Sequence, residues 1–170
     1  MTDTAHTYLD KIVSSPEALV PKLDQLREAG GTIVFGNGCF DILHVGHVRY
    51  MMAARALGDV LVIAVNTEAS IALNEGREPS INPYQERMEM IAALSCVDYV
   101  VPLEEATPVA LLRLYRPHIQ AKGTDYTLET MPEREVVESL GGRLEFVGDE
   151  KTHSSTTLRA HMEARGDVKR

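Results

Sequence analysis

A Rossmann-like, doubly wound, five-stranded parallel sheet with helices on both faces is the fold this sequence predicts. Three observations carry that expectation. Short β-branched apolar runs alternate with helical periods along the 170 residues. The runs are apolar throughout instead of at every second residue, the pattern of strands covered on both faces. A glycine-rich turn joins the first run directly to a helical period, and right-handed crossovers between parallel strands then put helices on both faces.

The elements follow in order. A leading helix over 15–29 has Ser14 or Ser15 as its cap, Pro16 in its first turn, and Leu19, Leu23 and Leu26 on one face; Gly30-Gly31 stop it. Strand one covers 32–35. A helix over 46–57 follows, with Val48, Met51, Met52 and Ala56 on its buried side. Strand two, over 60–65, is the clearest in the chain, and 67–80 reads as a polar loop. Asn82-Pro83 open a helix to about Ser95, burying Met88, Ile91, Ala92 and Ser95. Strands over 99–101, 118–121 and 144–147 alternate with helices over 107–115 and 132–140, the latter closed by Gly141-Gly142. A last helix runs over 154–163. The whole reads as one domain over 1–170, with a leading helix in 1–30, the core in 31–150 and a C-terminal turn and helix in 151–170.

Composition narrows the function. Lys and Arg number 17 against 25 Asp and Glu, a net charge of −8. That balance argues against a nucleic-acid binder and against an anionic membrane surface, yet leaves room for a small anionic ligand in a locally positive cleft. No stretch reaches the ~18–20 apolar residues of a spanning helix, and the acidic N-terminus has no signal-peptide pattern. Two cysteines, Cys39 and Cys96, make no disulfide framework. The expectation is a cytoplasmic protein with no nucleic-acid and no membrane partner.

In doubly wound folds ligands sit beyond the carboxyl ends of the strands, here the loops over 36–47, 66–80, 122–130 and 148–156. The first contains Gly36, Asn37, Gly38, Cys39, Phe40, Asp41, His44, Gly46 and His47. Glycines between strand and helix admit a phosphate to the backbone, and the helix N-terminus adds donors. Asp41 occupies the third-glycine position of a dinucleotide fingerprint, and no Gly-Lys-Ser/Thr follows for a Walker loop. His44 and His47, three apart, project from one side of a helical turn and can donate to phosphate oxygens. Plain capping and packing of the helix start is the structural alternative. Zinc ligation is weaker, because only Cys39 lies nearby. Lys122, at the functional edge of strand four and followed by Gly123, can reach a phosphate. Ser155, Thr156 and Thr157 open the last helix, an anion site or a plain N-cap. Asn66 ends strand two, at the right edge for a site or simply closing the strand.

The string Phe40-Asp41-x-x-His44-x-Gly46-His47, after a strand and a small-residue turn, resembles the signature of the cytidylyltransferase-like nucleotidyltransferases. The resemblance extends through Val62–Thr67, Glu86-Arg87-Met88, Val97–Pro102, Lys122-Gly123-Thr124-Asp125-Tyr126 and Ser155-Thr156-Thr157. Within that family the sequence is most similar to the adenylyltransferase half of the bifunctional heptose-7-phosphate kinase/heptose-1-phosphate adenylyltransferases, or to their free-standing form. It departs from their pattern at Glu68 (usually Asp), at Asn74-Glu75-Gly76 (usually Lys-Gly), at Glu78 between Arg77 and Pro79, and at Thr124 (often Gly).

The resemblance implies a nucleotidyltransferase α/β/α sandwich and a reaction: ATP and a sugar 1-phosphate, here D-glycero-D-manno-heptose 1-phosphate, give an ADP-sugar and pyrophosphate. It implies that His44 and His47 stabilise charge on the ATP phosphates and that the backbone of residues 37–40 packs on the α-phosphate. Ser155–Thr157 would grip the β- and γ-phosphates. Arg87 would face the substrate pocket, with an exposed helical ion pair as the alternative. Asp125 would meet sugar hydroxyls or the nucleoside, and Asp41 would orient a histidine or meet the acceptor or the metal. Mg²⁺ would accompany ATP, with protein ligands unknown. A homodimer and a separate upstream sugar kinase are the partners implied. Two other readings stand beside it: a cytidylyltransferase acting on glycerol 3-phosphate or a related alcohol phosphate, and a nucleotide-binding module without turnover.

Overall fold

Each of the five segments expected as strands forms one. A computed structural model of the chain describes residues 7–74, 76–124, 126, 131–149, 158, 164 and 165. Its strands are β1 (Ile33–Gly38), β2 (Val60–Asn66), β3 (Tyr99–Leu103), β4 (Ile119–Gly123) and β5 (Arg143–Val147). Its helices are α1 (Val20–Glu28), α2 (Val45–Arg55), α3 (Glu68–Ala72), α4 (Tyr84–Ala92), α5 (Val109–Tyr115) and α6 (Arg134–Ser139). The sheet is parallel at every pairing, in the order β3-β2-β1-β4-β5. The order therefore reverses between β1 and β4, and a crevice opens outside their carboxyl ends. The last helix expected over 154–163 lies outside the described residues apart from Leu158.

Strand alternation sends side chains to two cores. Val34, Leu61, Ile63, Val65, Val100, Ile119 and Ala121 pack on one face with Met51 and Ala54 of α2 and with Met88, Ile91 and Ala92 of α4. Ile33, Phe35, Val62, Ala64, Val101 and Leu103 pack on the other with Leu23 of α1, Leu111, Leu112 and Tyr115 of α5, and Val137 of α6. Pro102 falls in β3, an outer strand, where its missing N–H breaks no ladder bond to a further strand. Residues 12 and 13 run along that edge, and the Val13 N–H donates to the Val100 carbonyl at 2.9 Å.

Four expectations are corrected. The leading helix starts as a 3₁₀ turn over Pro16–Leu19, and Pro21 is tolerated because it falls at the start of α1. The buried side of α2 consists of Tyr50, Met51 and Ala54. Met52 is 59% exposed and Ala56 is exposed, because the phase of the helix is set by Tyr50, whose hydroxyl donates to the Ala121 carbonyl at 2.9 Å. The 67–80 loop contains α3, started by Thr67, whose hydroxyl accepts the Ser70 N–H. Ser95 lies beyond α4 and is exposed.

Candidate active site

The crevice is built first from the turn that leaves β1. Phe40 has φ 51°, a left-handed conformation that a bulky residue adopts only when its surroundings enforce it. Those surroundings are visible. The Phe40 ring is buried edge-on against the His47 ring at 5.3 Å. Asp41, also buried, accepts the backbone N–H groups of Ile81 and Asn82 at 2.9–3.0 Å, and the Asn82 side-chain amide donates back to the Asp41 carbonyl. Arg87 is fully buried. Its guanidinium donates to the Cys39 carbonyl at 2.6 Å, the Asn82 carbonyl at 2.9 Å and Glu68 Oε1 at 3.1 Å. The alternative of an exposed helical ion pair is thereby corrected: Arg87 ties the β1 turn, residue 82 and α3 together from inside.

Glu68 is the outer end of that tie. Burial works against its carboxylate, but its own backbone N–H, the Arg87 guanidinium and the Tyr84 N–H outweigh burial and hold the carboxyl below its usual range. Where the family pattern has Asp, the longer side chain here reaches both Arg87 and the Tyr84 N–H, at 3.1 and 2.7 Å. Cys39 is in the same turn, and burial pushes its thiol up despite the opposing charge of Arg87. It is therefore a poor thiolate nucleophile. Both cysteines are free.

The histidine pair stands at the start of α2. His44 is the N-cap, with Nδ1 accepting the Gly46 N–H at 3.2 Å. An Nδ1 that accepts carries no proton, which places the N–H of the neutral ring on Nε2. The His44 and His47 rings stack at 3.9 Å and 27°. Stacked planes do not converge on a common point as zinc ligands do. No group of three His, Cys, Asp or Glu that could hold a metal ion occurs among the described residues. Gly46 is required by this cap, since a Cβ there would lie 2.9 Å from the His44 ring.

Gly36 has a different use from the one its spacing suggests. It is a buried β1 residue, and a Cβ would come within 2.4 Å of the Tyr50 hydroxyl. It makes room for Tyr50. Gly38 ends β1, half-buried beneath the Phe40 ring.

A second group comes from β4. Lys122 is buried, and its ammonium donates to Asn37 Oδ1 at 2.9 Å across the β1–β4 seam. It is 3.7 Å from Glu133 Oε1 and 5.4 Å from the Tyr126 ring centre. Gly123 follows it at the end of β4. Asn66 is buried and bonded to the Ser70 hydroxyl at 2.6 Å, so it links β2 to α3. Asp125, Ser155, Thr156 and Thr157 lie outside the described residues. The structure thus brings Phe40, His44, Gly46 and His47 together in one group and Asn37 and Lys122 in another, with Asp41 in the turn next to Phe40. Arg87 and Asn66 stand behind, in support. Glu133 was missed: within Pro132-Glu133-Arg134-Glu135 a charged residue reads as part of a solvated helix start.

A parallel sheet with paired imidazoles on a helix N-terminus at its switch point, and with a buried lysine on β4, defines a nucleotide-binding α/β protein. A family model described as cytidylyltransferase-like matches residues 35–163, and the chain belongs to that nucleotidyltransferase family. It is similar to the "Bifunctional protein HldE" of Pelobacter propionicus, 44% identical over 154 residues that cover 91% of this chain and 32% of that protein. The protein of the same name from Syntrophotalea carbinolica is 46% identical over 149 residues, 88% of this chain and 30% of that one. The chain thus spans about a third of the length of these relatives. The crystal structure of the lipopolysaccharide core biosynthesis protein from Thermoplasma volcanium is similar with a TM-score of 0.63 and 27% identity, covering 72% of this chain and all of that one.

Proposed function

We propose that this chain transfers the adenylyl group of ATP to a sugar 1-phosphate, releasing pyrophosphate and forming an ADP-sugar, with D-glycero-D-manno-heptose 1-phosphate as the acceptor. The observation that carries the reaction class is the stacked His44–His47 pair at the N-terminus of α2, in the turn that leaves β1 at the switch point. The acceptor rests on the sequence resemblance to heptose 1-phosphate adenylyltransferases, supported by the relatives named HldE.

An oxygen of the sugar phosphate attacks the α-phosphorus of ATP in line. One P–O bond forms, the bond to the β-phosphate breaks, and pyrophosphate leaves with the electron pair. The attacking phosphate is already anionic, so no general base is needed. The chain's work is positioning and charge stabilisation. His44 Nε2–H and the His47 imidazole donate to phosphate oxygens as charge moves toward the leaving group, and the first N–H groups of α2 add to that field. The Lys122 ammonium, steadied by Asn37, faces the second polyanion. Arg87 and Asp41 hold the turn that carries the histidines in shape. Ser155–Thr157 grip the terminal phosphates, and Asp125 meets hydroxyls. Mg²⁺ accompanying ATP would supply partial neutralisation of the triphosphate charge.

A pyrophosphate-release assay with ATP or CTP and a panel of sugar 1-phosphates and glycerol 3-phosphate tests this. The expected result is release with ATP and the heptose phosphate, and an ADP-heptose mass in the product. Turnover with CTP alone would overturn the adenylyl reading. ATP binding without release from any pair would favour a binding module.

A further inference from the structure

Glu133 immediately precedes α6, and its side chain is 7% exposed. Its two carboxylate oxygens are treated differently. Oε1 faces the Lys122 ammonium at 3.7 Å, within ion-pair range but beyond a hydrogen bond. Oε2 is buried with no hydrogen-bond partner among the described residues. A carboxylate taken out of water without bonds to its lone pairs is costly. A pair kept only for stability would close to hydrogen-bond distance and use both oxygens.

The place of this half-satisfied pair is informative. Lys122 and Asn37 lie near the carboxyl ends of β4 and β1, the strands between which the sheet order reverses. Gln120, two residues before Lys122 on the same face of β4, is fully buried, and neither its amide nitrogen nor its oxygen has a partner among the described residues. The polar row lies on the α5/α6 side of the sheet, whereas α2, which carries the histidine pair, packs on the other side. A reaction that joins two polyanions needs a cationic seat for each, and Lys122 is the one remote from α2. Next to that ammonium a carboxylate oxygen repels phosphate and accepts O–H.

We infer that Glu133 is a specificity-determining residue: Oε2 accepts a hydroxyl of the sugar carried by the acceptor phosphate, while Oε1 keeps Lys122 directed at that phosphate. The inference rests on the adenylyl-transfer reading and assigns its acceptor subsite.

The test compares wild type with Glu133→Gln, using calorimetric binding of D-glycero-D-manno-heptose 1-phosphate and of inorganic phosphate as probes, then pyrophosphate-release kinetics. The sugar phosphate should bind wild type more tightly than inorganic phosphate. The variant should lose about tenfold or more of that preference, the scale of one hydrogen bond to a charged group, while inorganic phosphate binds no more weakly, since the negative charge beside Lys122 is gone. In turnover the acceptor KM should rise by a similar factor while the ATP KM stays within about twofold. The melting temperature should fall, because buried Lys122 loses its charged partner, so binding is compared well below the variant's own transition. Unchanged preference would overturn the proposal. So would a loss shared equally by both probes, which marks a purely structural partner of Lys122, or a loss confined to ATP. If wild type releases no pyrophosphate, the adenylyl reading falls while the binding arm still decides on Glu133. No sugar-phosphate binding by wild type overturns both.

Discussion

His44 serves two purposes with one ring. Its Nδ1 closes the N-terminus of α2 through the Gly46 N–H, and by accepting there it commits the proton of the neutral ring to Nε2. The two roles are separable by substitution. His44→Ala loses both, and His44→Ser keeps a capping oxygen while losing the imidazole. Turnover should fall about 10²-fold or more in both, and likewise in His47→Ala, the scale of a lost oxyanion donor. Of the two His44 variants, His44→Ala should lose about 1 kcal/mol more stability than His44→Ser, the cost of the missing cap. Near-normal turnover in all three would refute the histidine roles. Arg87 belongs to the same scale but acts through packing. Its guanidinium is fully buried and bonded to three elements. Arg87→Met should lower stability by about 3 kcal/mol, because the Cys39 and Asn82 carbonyls are left without their donor. Arg87→Lys should recover little, since an ammonium cannot span the fork. Thermal denaturation of the two variants reads this directly.

At the scale of elements, the first turns of β1 and β4 are stitched by one side chain. His118 Nδ1 accepts the Ile33 N–H at 2.9 Å, while the His118 backbone N–H donates to the Ile33 carbonyl at 3.0 Å. Burial, then the charges of Arg27 and Arg143, push the His118 pKa below its usual value. The unfolded chain therefore binds this proton at a higher pH than the folded chain does. The stability contributed is present above about pH 6.5 and is lost as the pH falls through the lowered folded value. Melting curves from pH 7.5 to 5 should show the loss, and His118→Gln should flatten it. None of this was legible in the sequence, where His118 reads only as the first residue of a strand.

Much else at that scale was legible, and the reasons are physical. The β2 and β3 strands are apolar runs buried on both faces, so their signal did not depend on periodicity, whereas β5 has no fully buried residue and is marked instead by Gly141-Gly142 before it. The 67–80 segment misled because α3 is a single short turn whose start is one Thr hydroxyl. The face of α2 misled because Met52 is apolar yet points to solvent, and the bond from Tyr50 to Ala121 that fixes the phase is non-local. In the site, His44, His47 and Lys122 stand out by type and spacing at strand ends. The Glu133 carboxylate does not, because its burial is created by β4 meeting α6, eleven residues after Lys122 in the chain.

The whole molecule carries a net charge of −8 and, on the reading above, must bring two polyanions together. Its field opposes that encounter at long range. Among the described residues near the switch point, Arg87 is spent on the turn after β1, Lys122 is shared between Asn37 and Glu133, and Arg77 is near enough for its charge to act on the Cys39 thiol. Helix N–H dipoles and two imidazoles carry partial charge only. The balance must come with the substrate, as a divalent ion on the triphosphate, and a protein with a strongly basic crevice would depend on it less. Chelation with EDTA should therefore cost at least about 100-fold in turnover, the several kcal/mol a metal contributes to charge stabilisation, and added Mg²⁺ should restore it. Calorimetry should show ATP binding weakened in parallel, with the fold unchanged by circular dichroism. Turnover that survives EDTA undiminished would mean that the −8 chain neutralises the phosphates with its own groups. Charge-reversing substitutions of Arg77, whose charge reaches Cys39, and of Lys151 and Arg159 in the segment that carries Ser155–Thr157 would then be the next measurement.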